Sequence, residues 1–189
     1  MIHFTALYDA CVLYPAPLRD LLMELALSDL YRAKWSNRIH DEWMRNVLKS
    51  RPDITKDKLE RTKQMTNMHV LDALVENFED VEKILTLPDP NDAHVLAAAI
   101  VSEADIIVTF NLKDFPHDQL IKYNVKAQHP DLFLMQLSNL NETSFLMAVR
   151  NTRLRLKNPP KSVDEYLTIL KKQGLPKTAA LLEQHKAEI

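Results

Sequence analysis

The sequence predicts an α/β protein built on a parallel sheet covered on both faces, followed by a tail made only of helices. Three observations predict it. A short apolar run, Phe4 to Asp9, leads into an amphipathic helical pattern. A helix that is apolar nearly all round, His94-Val95-Leu96-Ala97-Ala98-Ala99-Ile100, precedes the β-branched run Ile106-Ile107-Val108-Thr109-Phe110, which suits a strand buried on both sides. From Asn141 onward strand patterns stop and helical ones continue.

Each element has a local reason. The first strand ends at Asp9 and runs into Val12-Leu13-Tyr14. Pro15 and Pro17 then suit the first turn of a helix, where the missing N–H costs nothing, and Leu18, Leu21, Leu22, Leu25 and Ala26 supply its apolar stripe. A second helix follows Ser36 with Ile39, Trp43 and Val47 on one face, and a third begins near Thr55 carrying Leu59, Met65, Val70 and Leu74. The turn Leu87-Pro88-Asp89-Pro90-Asn91-Asp92 introduces the small-residue helix. Val125 to Gln128 reads as a further strand, and Pro130 opens a helix through Leu137. In the tail, one helix ends near Asn158-Pro159-Pro160. Ser162 and Glu165 form a capping box ahead of Tyr166, Leu167, Ile169 and Leu170. Gly174 sits where a helix C′ glycine belongs, and Pro176 starts a last helix through Leu182. The expected division is a main domain over residues 1–137 and a helical extension over 138–189.

Composition excludes several function classes. A chain of 189 residues with 46% hydrophobic and 26% charged residues has enough material for one soluble core. Its net charge of −2 gives no global attraction for nucleic acid, so any such contact needs a local basic patch or metal ions on an acidic cleft. Arg150, Arg153 and Lys157 fall on one helical face and read either as a solvated surface or as a phosphate contact. Gly174 is the sole glycine, which rules out a Walker A loop and a dinucleotide fingerprint, since both need glycine where backbone approaches phosphate. The single cysteine, Cys11, allows neither a disulfide framework nor a thiolate zinc site and fits a reducing compartment. Met1-Ile-His-Phe-Thr lacks a leader pattern, and the apolar stretch Val95 to Val101 is too short to span a bilayer, so a cytoplasmic location with no membrane association is expected.

Four acidic residues carry the candidate chemistry. Asp9 ends the first strand, and in open parallel sheets ligands bind beyond the carboxyl ends of strands. Asp114 follows the strand at Ile106 and belongs to the same edge. Asp92 lies at the start of the small-residue helix that feeds that strand, and Glu42 is on the second helix beside Trp43. Close carboxylates raise one another's pKa unless a divalent cation sits between them, and a hard cation such as Mg2+ or Mn2+ takes oxygen ligands of this kind. Three of them also have a plain reading, Asp92 as a helix-start residue, Glu42 as a solvated face and Asp114 as a turn former, whereas Asp9 ends an apolar strand and is followed by Ala-Cys-Val-Leu. Asp89 and Asn91 suit turn formation, Thr109 could bond a carboxylate or simply suit a strand, and His94 reads as packed at the helix start.

The ordered segments Tyr8-Asp9-Ala10-Cys11-Val12-Leu13-Tyr14-Pro15, His40-Asp41-Glu42-Trp43, Pro88-Asp89-Pro90-Asn91-Asp92-Ala93-His94-Val95-Leu96-Ala97-Ala98-Ala99 and Val108-Thr109-Phe110-Asn111-Leu112-Lys113-Asp114-Phe115-Pro116 resemble the motifs of PIN-domain nucleases, most closely the VapC-type toxins of bacterial toxin–antitoxin pairs. The resemblance covers roughly residues 2–137. It implies a three-layer α/β/α fold, Mg2+- or Mn2+-dependent endoribonuclease activity on an RNA substrate, an antitoxin partner and a homodimer. Asp9, Glu42 and Asp92 match the first three acidic positions; Asp114 matches the fourth, where many relatives place the acid at the position of Asn111. A polar residue is usual two places after the first Asp, and Cys11 stands there. Two other readings remain: a catalytically silent PIN-like scaffold binding RNA or protein, and a phosphatase of the haloacid-dehalogenase type, which would want a second Asp in place of Cys11.

Overall fold

The computed structural model describes residues 4–189; residues 1–3, part of the stretch read for a leader, lie outside the described residues. The chain forms two compact units. The first contains residues up to 14 and 31–129, the second residues 15–30 and 130–189.

The first unit holds a five-stranded sheet of β1 (Thr5–Tyr8), β2 (Arg32–Ser36), β3 (Leu74–Val75), β4 (Ile106–Val108) and β5 (Lys126–Gln128). Every pairing is parallel and the spatial order is β3-β2-β1-β4-β5. All four residues of β1 and all three of β4 are buried. Because successive side chains point to opposite faces, the sheet centre is covered on both, which is the three-layer α/β/α arrangement expected. The helices of this unit, in chain order with α2 reserved for the second, are α1 (Ala10–Leu13), α3 (Asn37–Ser50), α4 (Lys56–His69), α5 (Glu79–Glu82), α6 (Ala93–Val101) and α7 (His117–Leu120). Residues 93–99 of α6 are all buried, so its alanines allow close approach to the strands.

Local signals explain most boundaries. The Ser36 side chain caps α3 by accepting from Ile39 N at 3.3 Å, and Thr55 caps α4 by accepting from Lys58 N at 3.4 Å. A buried polar chain ties β2, α3 and α4 together. Trp35 Nε1 donates to Asn67 Oδ1 at 2.7 Å, His40 Nε2 meets the same oxygen at 3.1 Å, and Trp43 Nε1 donates to His40 Nδ1 at 3.0 Å. Since Nδ1 accepts, the ring proton belongs on Nε2, and both ring nitrogens of His40 are used. It fixes the rotation of α3 about its axis.

Two expectations are corrected. The third helix ends at His69, and Leu74 belongs to β3 instead; Met65 is 44% exposed, off the buried side. Strands β2 and β3 have no counterpart in the sequence reading. β2 reads Arg-Ala-Lys-Trp-Ser, too polar to show an apolar run, and β3 is two residues long.

The second unit is all helical: α2 (Ala16–Ala26), α8 (Pro130–Leu140), α9 (Glu142–Arg155), α10 (Val163–Lys172) and α11 (Pro176–Glu183). The capping box of Ser162 and Glu165 is present, and Gly174 has φ 77°, the left-handed value that ends α10. The face expected of Arg150, Arg153 and Lys157 is not a shared basic one, because the Arg153 guanidinium is turned to the Lys161 carbonyl at 2.9 Å. Asp131, 4% exposed, accepts from Lys177 N at 2.9 Å, Thr178 N at 2.8 Å and Thr178 Oγ1 at 2.7 Å, satisfying the free N–H groups of α11 with an anion. Asp131→Ala should therefore lower the unfolding free energy by about 2 kcal/mol in urea titrations of the whole chain, with no change in slope.

Candidate active site

Asp9 follows β1 directly, and its backbone N–H donates to Val108 O at 3.1 Å, extending the β1–β4 ladder by one step. Between these strands the sheet order reverses: from β1 the chain goes to β2 on one side and later to β4 on the other. That switch point leaves a crevice beyond the carboxyl ends of the strands. Helices that return antiparallel to a strand put their N-termini at the same edge, as α6 does ahead of β4, and α3 starts there because it follows β2.

The Asp9 carboxylate is 3% exposed. Its Oδ2 accepts from Thr109 Oγ1 at 2.7 Å and from Cys11 Sγ at 3.0 Å. Those two donors are themselves held: Asn111 N donates to Thr109 Oγ1 at 2.9 Å, and Phe110 N donates to Cys11 Sγ at 3.3 Å. Burial pushes the Asp9 carboxyl up and outweighs the bonds from Cys11, Thr109 and the Ala10 backbone, which favour its anion; Glu42 adds repulsion. Cys11, two places after Asp9, thus supplies a hydrogen bond to its carboxylate. Burial, and then the Asp9 charge, push its thiol far above the usual range, so it stays protonated as a donor and is no nucleophile.

Asp92 closes a one-turn 3-10 segment, Pro90–Asp92, and stands at the N-cap of α6, one residue before the helix in which it was expected. Asp89 shapes this turn, its Oδ1 accepting from Asn91 N and Asn91 Nδ2, each at 2.9 Å. The Asp92 carboxyl is raised to about 7, first by burial and then by the charges of Asp9, Asp89, Asp114 and Glu42. Asp9, Glu42 and Asp114 therefore all lie within electrostatic reach of Asp92, with Asp89 beside it. Asp114 comes from the 3-10 segment Leu112–Asp114, anchored by the buried Phe115. Asn111, the alternative at this place, is exposed and contributes its backbone N–H to Thr109.

Glu42 sits one turn into α3, where His94 Nε2 meets its Oε2 at 3.3 Å. His94 is 3% exposed. Its contact with Glu42, across 52 positions of sequence, had no signal in the chain beyond its place after Asp92.

The carboxylates gather around Asp92 but are not closed on a point: among the described residues, no three His, Cys, Asp or Glu side chains are grouped tightly enough to hold an ion as they stand. The donor set nevertheless fits a hard divalent cation. It offers carboxylate oxygens alone, its most buried member is supported by neutral donors, and each charge acting on Asp92 is negative. A cation would relieve that repulsion; nothing in the set suits a soft metal.

The chain belongs to the PIN-domain family, whose model matches residues 5–113. A second family model, the VapC50 C-terminal domain, matches residues 130–184. Among curated proteins, Putative ribonuclease VapC50 of Mycobacterium tuberculosis is 55% identical over 51 residues, which is 27% of this chain and 30% of that relative. The match thus spans under a third of the relative's length. No solved structure matches the chain.

The raised Asp92 makes a pH prediction. Its folded value of about 7 lies above the ordinary 3.8, so the folded chain holds the proton more tightly. The group's contribution is full below about pH 4 and is lost progressively as pH rises to about 7. Without metal, Asp92→Asn should gain stability relative to the unmodified chain across that window. Melting curves of both proteins with EDTA test this, and a constant difference from pH 4 to 7 would refute it. Divalent-metal affinity of the unmodified chain should rise over the same range, because proton and cation compete for one carboxylate.

Proposed function

We propose that this chain is a divalent-metal-dependent endoribonuclease that hydrolyses RNA phosphodiester bonds, and that it acts as the toxin of a toxin–antitoxin pair. The observation that carries the reading is Asp92, driven to about 7 by burial and four neighbouring carboxylates at the switch point of a PIN-domain sheet. The short identity with a relative named as a ribonuclease supports the same assignment.

In this reading Asp9, Asp92, Asp114 and Glu42 hold Mg2+ or Mn2+. The ion, when bound, supplies a water of lowered pKa and charge stabilisation at the phosphate. Asp9 is the fixed member, since Thr109 and Cys11 hold its carboxylate in one orientation. Glu42, steadied by His94, orients the attacking water or serves as a ligand. Asn111, Asp89 and Thr109 act at one remove, through the loop after β4, the charge beside Asp92 and the bond to Asp9. Residues 1–137 carry the chemistry and residues 138–189 form an extension; an antitoxin partner, a homodimer and a cytoplasmic setting complete the proposal. Among the described residues, no helix is long and apolar enough to cross a membrane.

The open arrangement of the carboxylates favours one rival, a silent PIN-like scaffold that binds RNA or protein without cutting it. The phosphatase reading has no support, because Cys11 offers Asp9 a hydrogen bond where a second carboxylate would be needed.

Asp9→Asn should lower Mn2+-dependent RNA cleavage on the order of 100-fold or more while the circular dichroism spectrum is unchanged. Thr109→Val, which deletes one donor to Asp9 and preserves shape, should cost on the order of tenfold. Both are read as initial rates on total RNA at millimolar Mn2+. Equal rates in all three proteins would sink the assignment, and no cleavage by the unmodified chain would favour the scaffold.

A further inference from the structure

Between α3 and α4 the first unit has a groove of about 620 Å3 that the proposed chemistry does not use. Its walls carry Arg45, Lys49, Lys56 and Lys63 against only Asp41 and Glu60. Lys63 is paired with Asp41 at 3.1 Å, whereas Arg45, Lys49 and Lys56 have no carboxylate in ion-pair distance among the described residues. Three unpaired cations thus line one concave surface on a chain whose net charge is −2. Met44 and Leu48 give it an apolar floor.

The groove and the acidic site share the helix α3. Glu42, Arg45 and Lys49 stand at i, i+3 and i+7, one face of the helix. The two cations follow Glu42 by about 4.5 Å and about 10.5 Å along the axis. A polyanion held at the carboxylate edge and laid along α3 therefore meets positive charge within one turn and again within two. Cations beside an apolar floor suit a single-stranded backbone with its bases turned inward.

The geometry points to this groove as the seat of the RNA strand on one side of the cleaved bond, with Arg45 and Lys49 contacting successive phosphates and Lys56 and Lys63 forming the opposite wall. This rests on the ribonuclease reading and adds to it the path of the substrate. Binding here is by charge and shape, so it sets affinity and reach more than base preference.

The test measures fluorescence anisotropy of a labelled single-stranded RNA of roughly 16 nucleotides and mixed sequence, bound to the full chain on an Asp9→Asn background with Mg2+ present. Arg45→Glu with Lys49→Glu should weaken binding on the order of tenfold and reduce the slope of log K against log salt by about 1.4. The neutral pair Arg45→Gln with Lys49→Gln should weaken binding by less but reduce the slope by about the same 1.4, because it removes the same two phosphate contacts, which guards against misfolding of the reversed pair. Lys171→Glu with Lys172→Glu, exposed cations on α10, should leave both unchanged. If the chain cuts RNA yet both groove pairs bind it normally, the groove assignment falls alone. If the chain neither binds nor cuts RNA, the groove and the ribonuclease reading fall together. Displacement of the RNA by a poly-glutamate peptide of higher affinity would instead give the groove to an acidic protein partner.

Discussion

Burial of one carboxylate at the end of the central strand governs much of the first unit. Asp9 is almost wholly removed from water, and an anion there is costly unless its oxygens are bonded. The chain meets this with neutral groups. Thr109 and Cys11 donate to the same oxygen, and the backbone at Phe110 and Asn111 holds those two donors in turn. The loop after β4 can therefore take few conformations, because moving it would strip Asp9 of its donors. Strand pairing, loop path and carboxylate orientation are one connected requirement.

Around that fixed point the other acids are held with decreasing firmness. Glu42 is tied to His94 and rides on a helix whose rotation is set by the buried Trp35, Asn67, His40 and Trp43 chain. Asp92 is half-buried at a helix start, and Asp114 lies on a one-turn segment. The repulsion that raises Asp92 is the counterpart of this assembly: like charges gathered in a partly dry crevice favour a bound proton or a bound cation.

The elements the sequence displayed clearly are those whose physics is local. Ser36, Thr55 and Ser162 announce helix starts because capping involves atoms three residues apart, and Gly174 marks a helix end because its backbone needs a positive φ. β2 was hidden because Arg32 and Lys34 interrupt any apolar run, and β3 because two residues make no pattern. Leu74 looked like a continuation of helix periodicity and proved to be a strand residue, since a period of 3.6 and an isolated leucine cannot be told apart. Among site residues, Asp9 was legible from its place after an apolar strand; of the two side chains that support it, Cys11 lies two residues on and Thr109 lies 100 residues away.

The sequence by itself determined the class of fold, the family motifs and the acidic positions, since strand alternation, caps and motif order are written in neighbouring residues. Tertiary structure alone decided that Cys11 is a hydrogen-bond donor to Asp9, that His94 meets Glu42, and that Asp92 is raised while facing four other acids. It also decided that Arg45 and Lys49 flank an open groove whereas Arg153 turns to a carbonyl. The physical reason is the same in each case. Hydrogen bonds and charge repulsion act over a few ångströms of space, and parallel strand order, not position along the chain, sets which side chains share those few ångströms.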